Sequence, residues 1–79
     1  MPQWTIYSRP NCSLCEQLIE EFVAAVGSAE AARAVVVDVD SDPQLAQKYG
    51  NRIPVLLADE EFVCALRFDA DRVRMYLQG

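Results

Sequence analysis

The sequence contains no histidine and only three cysteines, so it offers few of the side chains that bind transition metals. A closed structural zinc site needs four ligands, usually cysteine and histidine, and this chain cannot supply them alone. An odd number of cysteines also does not suit the disulfide framework of a small secreted protein. The composition therefore favours a reducing cytoplasm, where cysteines are more often reactive or metal-binding than structural.

The sequence also lacks a dense basic cluster and any apolar run long enough to span a bilayer, so we expect no membrane association. Its net charge of −5 comes from two basic and six acidic residues in 1–40, and five and six in 41–79. Without a basic patch, nucleic acid is not an expected partner. The N-terminus has no basic stretch followed by an apolar core, so we expect no signal peptide. We expect one monomeric domain over residues 1–79.

Hydrophobic periodicity predicts the element order β-α-β-α-β-β-α. Runs rich in β-branched and aromatic residues predict strands, and apolar residues at helical spacing predict helices. The expected strands are 3–8, 34–39, 54–58 and 62–68, and the expected helices are 13–26, 43–49 and a segment that Asp69 begins. A right-handed crossover makes the first two strands parallel, and the turn at 59–61 makes the last two antiparallel. The predicted fold class is α/β, a four-stranded mixed sheet with helices on both faces.

Two predictions concern the surroundings of particular strands. The near-continuous apolar run at 34–39 is typical of a strand that is covered on both faces. In the last strand, Cys64 alternates with Phe62, Leu66 and Phe68, which places these four side chains on one face. This alternation predicts that the thiol of Cys64 is buried and inert rather than a third redox group.

The stretch YSRPNCSLCEQL, residues 7–18, places Cys12 and Cys15 where the first strand gives way to the first helix. The pair has three candidate uses: a metal site, a structural disulfide or redox chemistry. A disulfide that closes so short a loop restrains the unfolded chain little. At a helix N-terminus the free N–H groups and the helix dipole stabilise a thiolate, and the pKa of a cysteine there falls to roughly 3.5–7.5. The position favours redox chemistry, with Cys12 as the exposed nucleophile and Cys15 as the resolving partner.

Together these features resemble the glutaredoxins, a branch of the thioredoxin superfamily. The resemblance is carried by YSRPNCSLC, by the element order and by RIPVLL later in the chain, and it covers essentially the whole sequence. It is closest to the small bacterial glutaredoxin-like proteins. The resemblance implies a thioredoxin/glutaredoxin fold and thiol–disulfide oxidoreductase activity in electron transport and cell redox homeostasis. It further implies glutathione as co-substrate and no bound metal or other cofactor.

The resemblance also implies roles for residues outside the cysteine pair. Pro54 would follow a cis peptide bond and face the cysteines, so that the backbone of Ile53 pairs with an extended thiol substrate. Arg9 and Arg52 would flank the same groove, where their charges would support the reactive thiolate and attract glutathione. Asp69 would correspond to the acidic residue that follows the Gly-Gly pair of glutaredoxins and contributes to glutathione binding.

The sequence departs from the glutaredoxin pattern at three places. Ser13-Leu14 separates the cysteines where dithiol glutaredoxins commonly have Pro-Tyr, and Arg52-Ile53 precedes the proline where they usually have Thr-Val. The Gly-Gly pair is absent, and the nearest segment reads CALRFD. Two alternatives stay open: a thioredoxin-fold module that binds a partner without catalysis, and an iron–sulfur carrier that uses Cys12 and glutathione in a dimer.

Overall fold

The computed structural model describes residues 2–77 and contains one four-stranded mixed sheet. The first strand, β1 (Trp4–Ser8), runs parallel to β2 (Val35–Asp38) and antiparallel to β3 (Val55–Ala58). The fourth strand, β4 (Glu61–Ala65), pairs antiparallel with β3, which gives the spatial order β2-β1-β3-β4. The predicted mixed sheet, with its parallel first pair and its antiparallel last pair, is confirmed.

In the described part of the chain, four α-helices and one short 3₁₀ helix connect and follow the strands. The α-helices are α1 (Ser13–Val26), α2 (Ser28–Ala31), α3 (Pro43–Tyr49) and α4 (Ala70–Leu77), and the 3₁₀ helix is Val39–Ser41. The three helices expected from the sequence are α1, α3 and α4, whereas α2 is a single further turn after α1. Within residues 2–77, no helix combines the length and the apolar character that crossing a bilayer requires.

Aspartate side chains cap the N-termini of α3 and α4. The carboxylate of Asp42 accepts a hydrogen bond from the backbone N–H of Gln44 at 2.8 Å, and that of Asp69 accepts one from Arg72 at 3.1 Å. Each bond satisfies an N–H group that has no partner within the first helical turn. The cap predicted at Asp69 is therefore present, and of the two residues that could cap α3 by sequence, Ser41 and Asp42, it is Asp42 that does so.

Helices cover both faces of the sheet, as predicted. On one face, the ring of Trp4 makes edge contacts with Phe22 of α1 and Tyr76 of α4, with ring centroids 5.2 and 6.1 Å apart. Tyr7 lies three positions further along β1, on the opposite face, because successive side chains of a strand alternate. Its ring stacks on Tyr49 of α3 with a centroid distance of 4.6 Å. Thus α1 and α4 pack on one face and α3 on the other.

The main core lies between the sheet and the pair of helices α1 and α4. Its buried residues are Trp4, Ile6, Leu18, Phe22, Leu56, Ala58, Val63, Cys64 and Val73. Full burial of a large apolar side chain stabilises the fold by roughly 1.5–3 kcal/mol. The indole N–H of Trp4 donates a hydrogen bond to the carboxylate of Glu30 at 3.0 Å, so the polar atom of this buried ring is also paired.

The expectation that the second strand is covered on both faces is wrong. β2 lies at one edge of the sheet, and Val35 and Val36 keep 50% and 53% of their surface exposed. Val39, the last residue of the apolar run, has left the strand and is buried in the 3₁₀ helix. The apolar run at 34–39 gave a wrong prediction because β-branched residues occur in edge strands as well as in central ones. Their burial depends on the order of the strands in space.

The predicted alternation of β4 is wrong in part, because a bulge interrupts the strand. Leu56 of β3 pairs with Cys64, but the next residue, Leu57, pairs with Phe62, so Val63 is an extra residue without a partner. Cys64 and Val63 are consequently both buried, whereas Phe62 is 53% exposed. The strand also ends at residue 65, before the predicted boundary at 68. The predicted burial of the Cys64 thiol is confirmed, although it does not share a strand face with Phe62.

Candidate redox site

The two cysteines lie at the turn between β1 and α1. Asn11 has a φ of 60°, a left-handed conformation that asparagine adopts more readily than most residues. Cys12 follows as the N-cap of α1, and its Sγ accepts a hydrogen bond from the backbone N–H of Cys15 at 3.2 Å. The two Sγ atoms lie at disulfide distance, and the Cα atoms are 5.2 Å apart. The turn therefore presents a bonded cysteine pair at a helix N-terminus.

The two sulfur atoms differ in their access to solvent. Cys12 is half-buried, whereas Cys15 is only 2% exposed and packs beneath the first turn of the helix. The N–H groups of that turn and the helix dipole both favour negative charge at the position of Cys12 Sγ. A molecule that approaches from solvent meets Cys12 first. This arrangement supports a thiol redox role for the pair.

The loop between α3 and β3 contains the cis peptide bond that the resemblance implied, between Ile53 and Pro54. Pro54 is buried, and its carbonyl accepts a hydrogen bond from the backbone N–H of Leu66 at 2.8 Å. The backbone N–H of Arg52 donates to the carbonyl of Tyr49 at 2.7 Å. These two bonds tie the loop to the end of α3 on one side and to the end of β4 on the other.

Arg9 lies just before the cysteine turn, but its guanidinium is paired with Asp40. Its Nε and Nη2 atoms donate to the two carboxylate oxygens at 2.7 and 3.1 Å, which is a bidentate pair. The hydrogen bond raises the pKa of Arg9 and lowers the pKa of Asp40. Arg9 was predicted to support the Cys12 thiolate and to attract an anionic substrate. For either role, the thiolate or the substrate must compete with Asp40 for the guanidinium of Arg9.

The remaining predicted site residues fall into two segments. Arg52 is exposed beside the cis bond, in the same loop as Ile53 and Pro54, and forms no ion pair within residues 2–77. Asp69 lies in the connection between β4 and α4, where its carboxylate accepts the N–H of Arg72 and lies 3.9 Å from the Nε atom of that side chain. Arg52, Ile53 and Pro54 are consecutive in one loop, whereas the carboxylate of Asp69 accepts a hydrogen bond from its own helix, α4.

A cleft of about 430 Å³ adjoins the cysteine turn, and the sequence did not predict it. It lies between α1, where Leu14 separates the two cysteines, and the connection from β4 to α4, which contributes Leu66 and Phe68. Leu66 has a φ of 71°, a conformation in which a leucine is a clear outlier. The available signal was the segment CALRFD, because the resemblance to glutaredoxins aligns it with their Gly-Gly pair, and glycine adopts such angles freely.

The third cysteine does not extend this site. Cys64 is buried in the core, and its burial raises the pKa of its thiol, which favours the protonated form. In the part of the chain that the structure describes, residues 2–77, no three histidine, cysteine, aspartate or glutamate side chains form a group suited to a metal ion. The accessible thiol chemistry is therefore that of Cys12 and Cys15.

Comparisons with known proteins give the family. The family model of the glutaredoxin-like domain (DUF836) matches residues 3–78. The X-ray structure of the structural genomics target XcR50 from X. campestris is similar, with a TM-score of 0.75 and 35% identity over 95% of this chain and 95% of that chain. The NMR structure of protein Ne2328 from Nitrosomonas europaea has a TM-score of 0.79 and 26% identity over 96% of this chain and 92% of that chain.

No curated protein matches the sequence. The structural neighbours are consistent with the predicted thioredoxin-like fold, and the family model spans nearly the whole chain. The cysteine turn, the cis Ile53-Pro54 bond and the mixed sheet lie within the matched residues. This chain therefore belongs to the glutaredoxin-like domain (DUF836) family.

Proposed function

We propose that the chain is a glutaredoxin-like thiol–disulfide oxidoreductase that acts through Cys12 and Cys15. The observation that carries the proposal is the position of the pair, because Cys12 caps α1 and its sulfur accepts the N–H of Cys15 at 3.2 Å. In the reduced protein this donor and the helix dipole would stabilise the Cys12 thiolate, which is the nucleophilic form. Membership of the glutaredoxin-like family supports the same redox role.

The proposed reaction starts from the reduced pair. The Cys12 thiolate attacks one sulfur of a substrate disulfide, so that the substrate S–S bond breaks and a mixed disulfide forms on Cys12. The other substrate sulfur leaves as a thiolate and takes a proton from water. Cys15 then loses its proton and attacks the Cys12 sulfur, which releases the second substrate thiol. Two electrons have passed to the substrate, and the pair ends as the Cys12–Cys15 disulfide.

Glutathione is the proposed co-substrate, with protein disulfides as the alternative substrate class. An extended substrate would lie along the loop that ends at Pro54 and pair with the backbone of half-buried Ile53. Because Arg9 is paired with Asp40, exposed Arg52 is the cation that we propose for a glutathione carboxylate. Asp69 is the proposed acidic contact. The proposed location is the cytoplasm, where glutathione and thioredoxin keep thiols reduced. The proposed active form is the monomer, because both cysteines of the proposed reaction lie in one chain.

Two serine variants test the roles of the two cysteines. With oxidised glutathione, Cys12→Ser should form no adduct at residue 12, because serine is not ionised at neutral pH. Cys15→Ser should still attack but lacks the resolving thiol, so it should accumulate one glutathione on Cys12. The mass of the intact protein detects the adduct, and peptide mapping locates it.

Mapping is needed because Cys64 is a third thiol in the same chain. A structural disulfide makes the opposite prediction, since both variants would then lose stability alike and neither would collect a selective adduct. An adduct on Cys64 with Cys12 unmodified would show that the wrong thiol has been assigned. A chain that reacts with no disulfide at all would instead support a binding module without catalysis.

A further inference from the structure

The cysteine turn and the cis-proline loop, residues 50–54, adjoin the same end of the sheet. Strands β1 and β3 run antiparallel with Tyr7 opposite Val55, so the chain that continues to Cys12 and the chain that arrives from Pro54 meet there. The pairing between the two strands ends at this point. Contacts outside the sheet must therefore fix how far the cysteine turn lies from the loop.

Two side chains at the end of β1 contact the end of α3. Tyr7 stacks on Tyr49 with ring centroids 4.6 Å apart. Two residues further along, the guanidinium of Arg9 lies close to Gly50. A Cβ at residue 50 would overlap the carbonyl oxygen of Ala46 and come within 3.4 Å of the Nη2 atom of Arg9. The φ of Gly50 is −55°, which any residue adopts, so it is the close approach that favours glycine here.

Asp40 holds the guanidinium of Arg9 in this place. Its carboxylate oxygens accept the Nε and Nη2 atoms at 2.7 and 3.1 Å, and a bidentate pair fixes orientation as well as position. Asp40 belongs to the 3₁₀ helix, where its backbone N–H donates to the carboxylate of Asp38 at 2.9 Å and its neighbour Val39 is buried. Arg9 thus joins the end of β1, the 3₁₀ helix and the end of α3.

The end of α3 leads directly into the cis-proline loop. The carbonyl of Tyr49 accepts the backbone N–H of Arg52 at 2.7 Å, and the cis peptide bond before Pro54 follows. On the other side of the contact, Arg9 precedes Cys12 by three residues. The Arg9–Asp40 pair therefore connects the segment that ends in the reactive sulfur with the segment that ends in the cis bond.

We propose that Arg9 and Asp40 are positioning residues, whose ion pair holds the cis-proline loop where an extended disulfide bonded to Cys12 can pair with the backbone of Ile53. The inference rests on the thiol–disulfide exchange proposed above, and it gives Arg9 a role other than binding an anion or supporting the thiolate. The two side chains are 40% and 52% exposed, so their ion pair adds little to global stability. Its effect belongs to the exchange reaction.

The test uses two uncharged disulfides, so that Arg9 cannot act by attracting a charge. One is bis(2-hydroxyethyl) disulfide, which is too small to reach the loop, and the other is the dimer of acetyl-Ala-Cys-Ala-amide, which has a backbone to pair with residue 53. We expect Arg9→Met and Asp40→Asn each to slow reduction of the peptide by the reduced protein about tenfold, because a small misplacement of a bound group is costly. The rate with the small disulfide and the pKa of Cys12, measured from alkylation against pH, should stay as in the wild type.

Three further variants serve as controls. Arg9→Lys keeps the charge but loses the bidentate geometry, so it should recover part of the peptide rate. The double variant Arg9→Met/Asp40→Asn should be no slower than Arg9→Met alone, because the two residues act as one unit. Arg74→Met is the matched control, since Arg74 is an exposed arginine that pairs with Asp71 on α4 at 3.2 Å, and it should keep both rates.

The sign of the two single variants decides between positioning and a direct action of charge. A positioning pair predicts that both variants slow the peptide. If Asp40→Asn instead lowers the pKa of Cys12 and speeds exchange while Arg9→Met does the reverse, Arg9 acts on the thiolate and the inference is wrong. Equal slowing of both disulfides would show a general structural loss, and an unchanged peptide rate would also overturn the inference.

Hydrogen exchange tests the same contact without a substrate, which separates this inference from the proposed function. The backbone amide of Arg52 should lose protection in Arg9→Met and Asp40→Asn, whereas the amide of Val73, which donates to the carbonyl of Asp69 at 3.1 Å, should keep it. Unchanged protection at Arg52 overturns the inference even where exchange activity is present. If no disulfide reacts with the wild type but Arg52 loses protection, the oxidoreductase proposal fails while the contact between the two segments stands.

Discussion

The core beneath α1 and α4 and the redox end of the sheet are formed by different means. In the core, regular helices and strands bring large side chains together, and Trp4, Phe22 and Leu56 are each at most 1% exposed. At the redox end, unusual backbone angles shape the surface, with positive φ at Asn11 before the cysteines and at Leu66 beside the cleft. Stability therefore comes mainly from the core, and the proposed reactivity belongs to the redox end. Substitutions in the two regions should therefore have separable effects.

The largest expected effect is a loss of stability in the core. Phe22 is 1% exposed and its ring contacts Trp4, so Phe22→Ala leaves a cavity. We expect the free energy of unfolding to fall by about 3–5 kcal/mol. Val23→Ala is the matched control on the same helix, because Val23 is 38% exposed, and it should cost less than about 1 kcal/mol. Urea unfolding followed by circular dichroism measures both variants, and equal losses of stability would show that burial in the core is not what stabilises this chain.

A smaller effect is expected from the backbone of the redox end. Leu66→Ala and Leu66→Gly remove the same side chain, but only alanine keeps a Cβ at a φ of 71°. A left-handed conformation costs a residue with a Cβ roughly 1–2 kcal/mol, part of which the greater freedom of glycine in the unfolded chain offsets. We therefore expect the glycine variant to be more stable than the alanine variant by about 0.5–1 kcal/mol. The midpoints of urea unfolding of the two variants measure this difference in stability. A more stable alanine variant would show that the backbone at residue 66 is unstrained.

The smallest expected effect concerns the ion pair between Arg9 and Asp40. The hydrogen bond from Arg9 lowers the pKa of Asp40 in the folded chain. The ion pair therefore stabilises the folded chain fully above the unfolded pKa of about 3.9, and this stabilisation is lost as the pH falls through the lower pKa of the folded chain. Asp40→Asn should be slightly less stable than the wild type at neutral pH, and the difference should vanish on acidification. Thermal unfolding across about pH 2 to 7, which spans the titration of the carboxyl group, measures this difference.

A matched variant sharpens the same experiment. Arg9→Lys keeps the charge but loses the two parallel hydrogen bonds, so its stability should lie between those of the wild type and Asp40→Asn. A difference between wild type and Asp40→Asn that persists below the titration of the carboxyl would show that Asp40 acts through something other than its charge.

Much of the fold could be predicted because its signals are local. The bounds predicted for α1 agree with those observed, since apolar residues recur at helical spacing up to Val26 and Gly27 follows with a φ of 91°. The start of α3 follows likewise from Asp42 and Pro43, a capping side chain and a residue suited to the first turn. The position of the cysteine pair between a strand and a helix could be predicted for the same reason, because the residues that signal both elements adjoin the pair in sequence.

The remaining features depend on contacts that are distant in sequence. Val35 is exposed because β2 is the edge strand, and an apolar run does not encode the order of strands in space. The extra residue Val63 depends on pairing with β3. Arg9 meets a carboxylate 31 positions away, and no local pattern links the two. The residue type of Leu66 does not indicate its positive φ either, because leucine does not favour that conformation.

The position of the single tryptophan has a consequence for spectroscopy. Trp4 is buried at the start of β1, and its indole N–H is held by Glu30, whereas the cysteines follow the other end of that strand. Its fluorescence therefore reports the environment of the core, with emission that shifts to longer wavelength when the core opens to water. Because the cysteine pair follows the opposite end of β1, we expect its oxidation or reduction to leave this fluorescence unchanged. Fluorescence and thiol labelling thus give two independent signals from one unlabelled chain, the first for folding and the second for redox state.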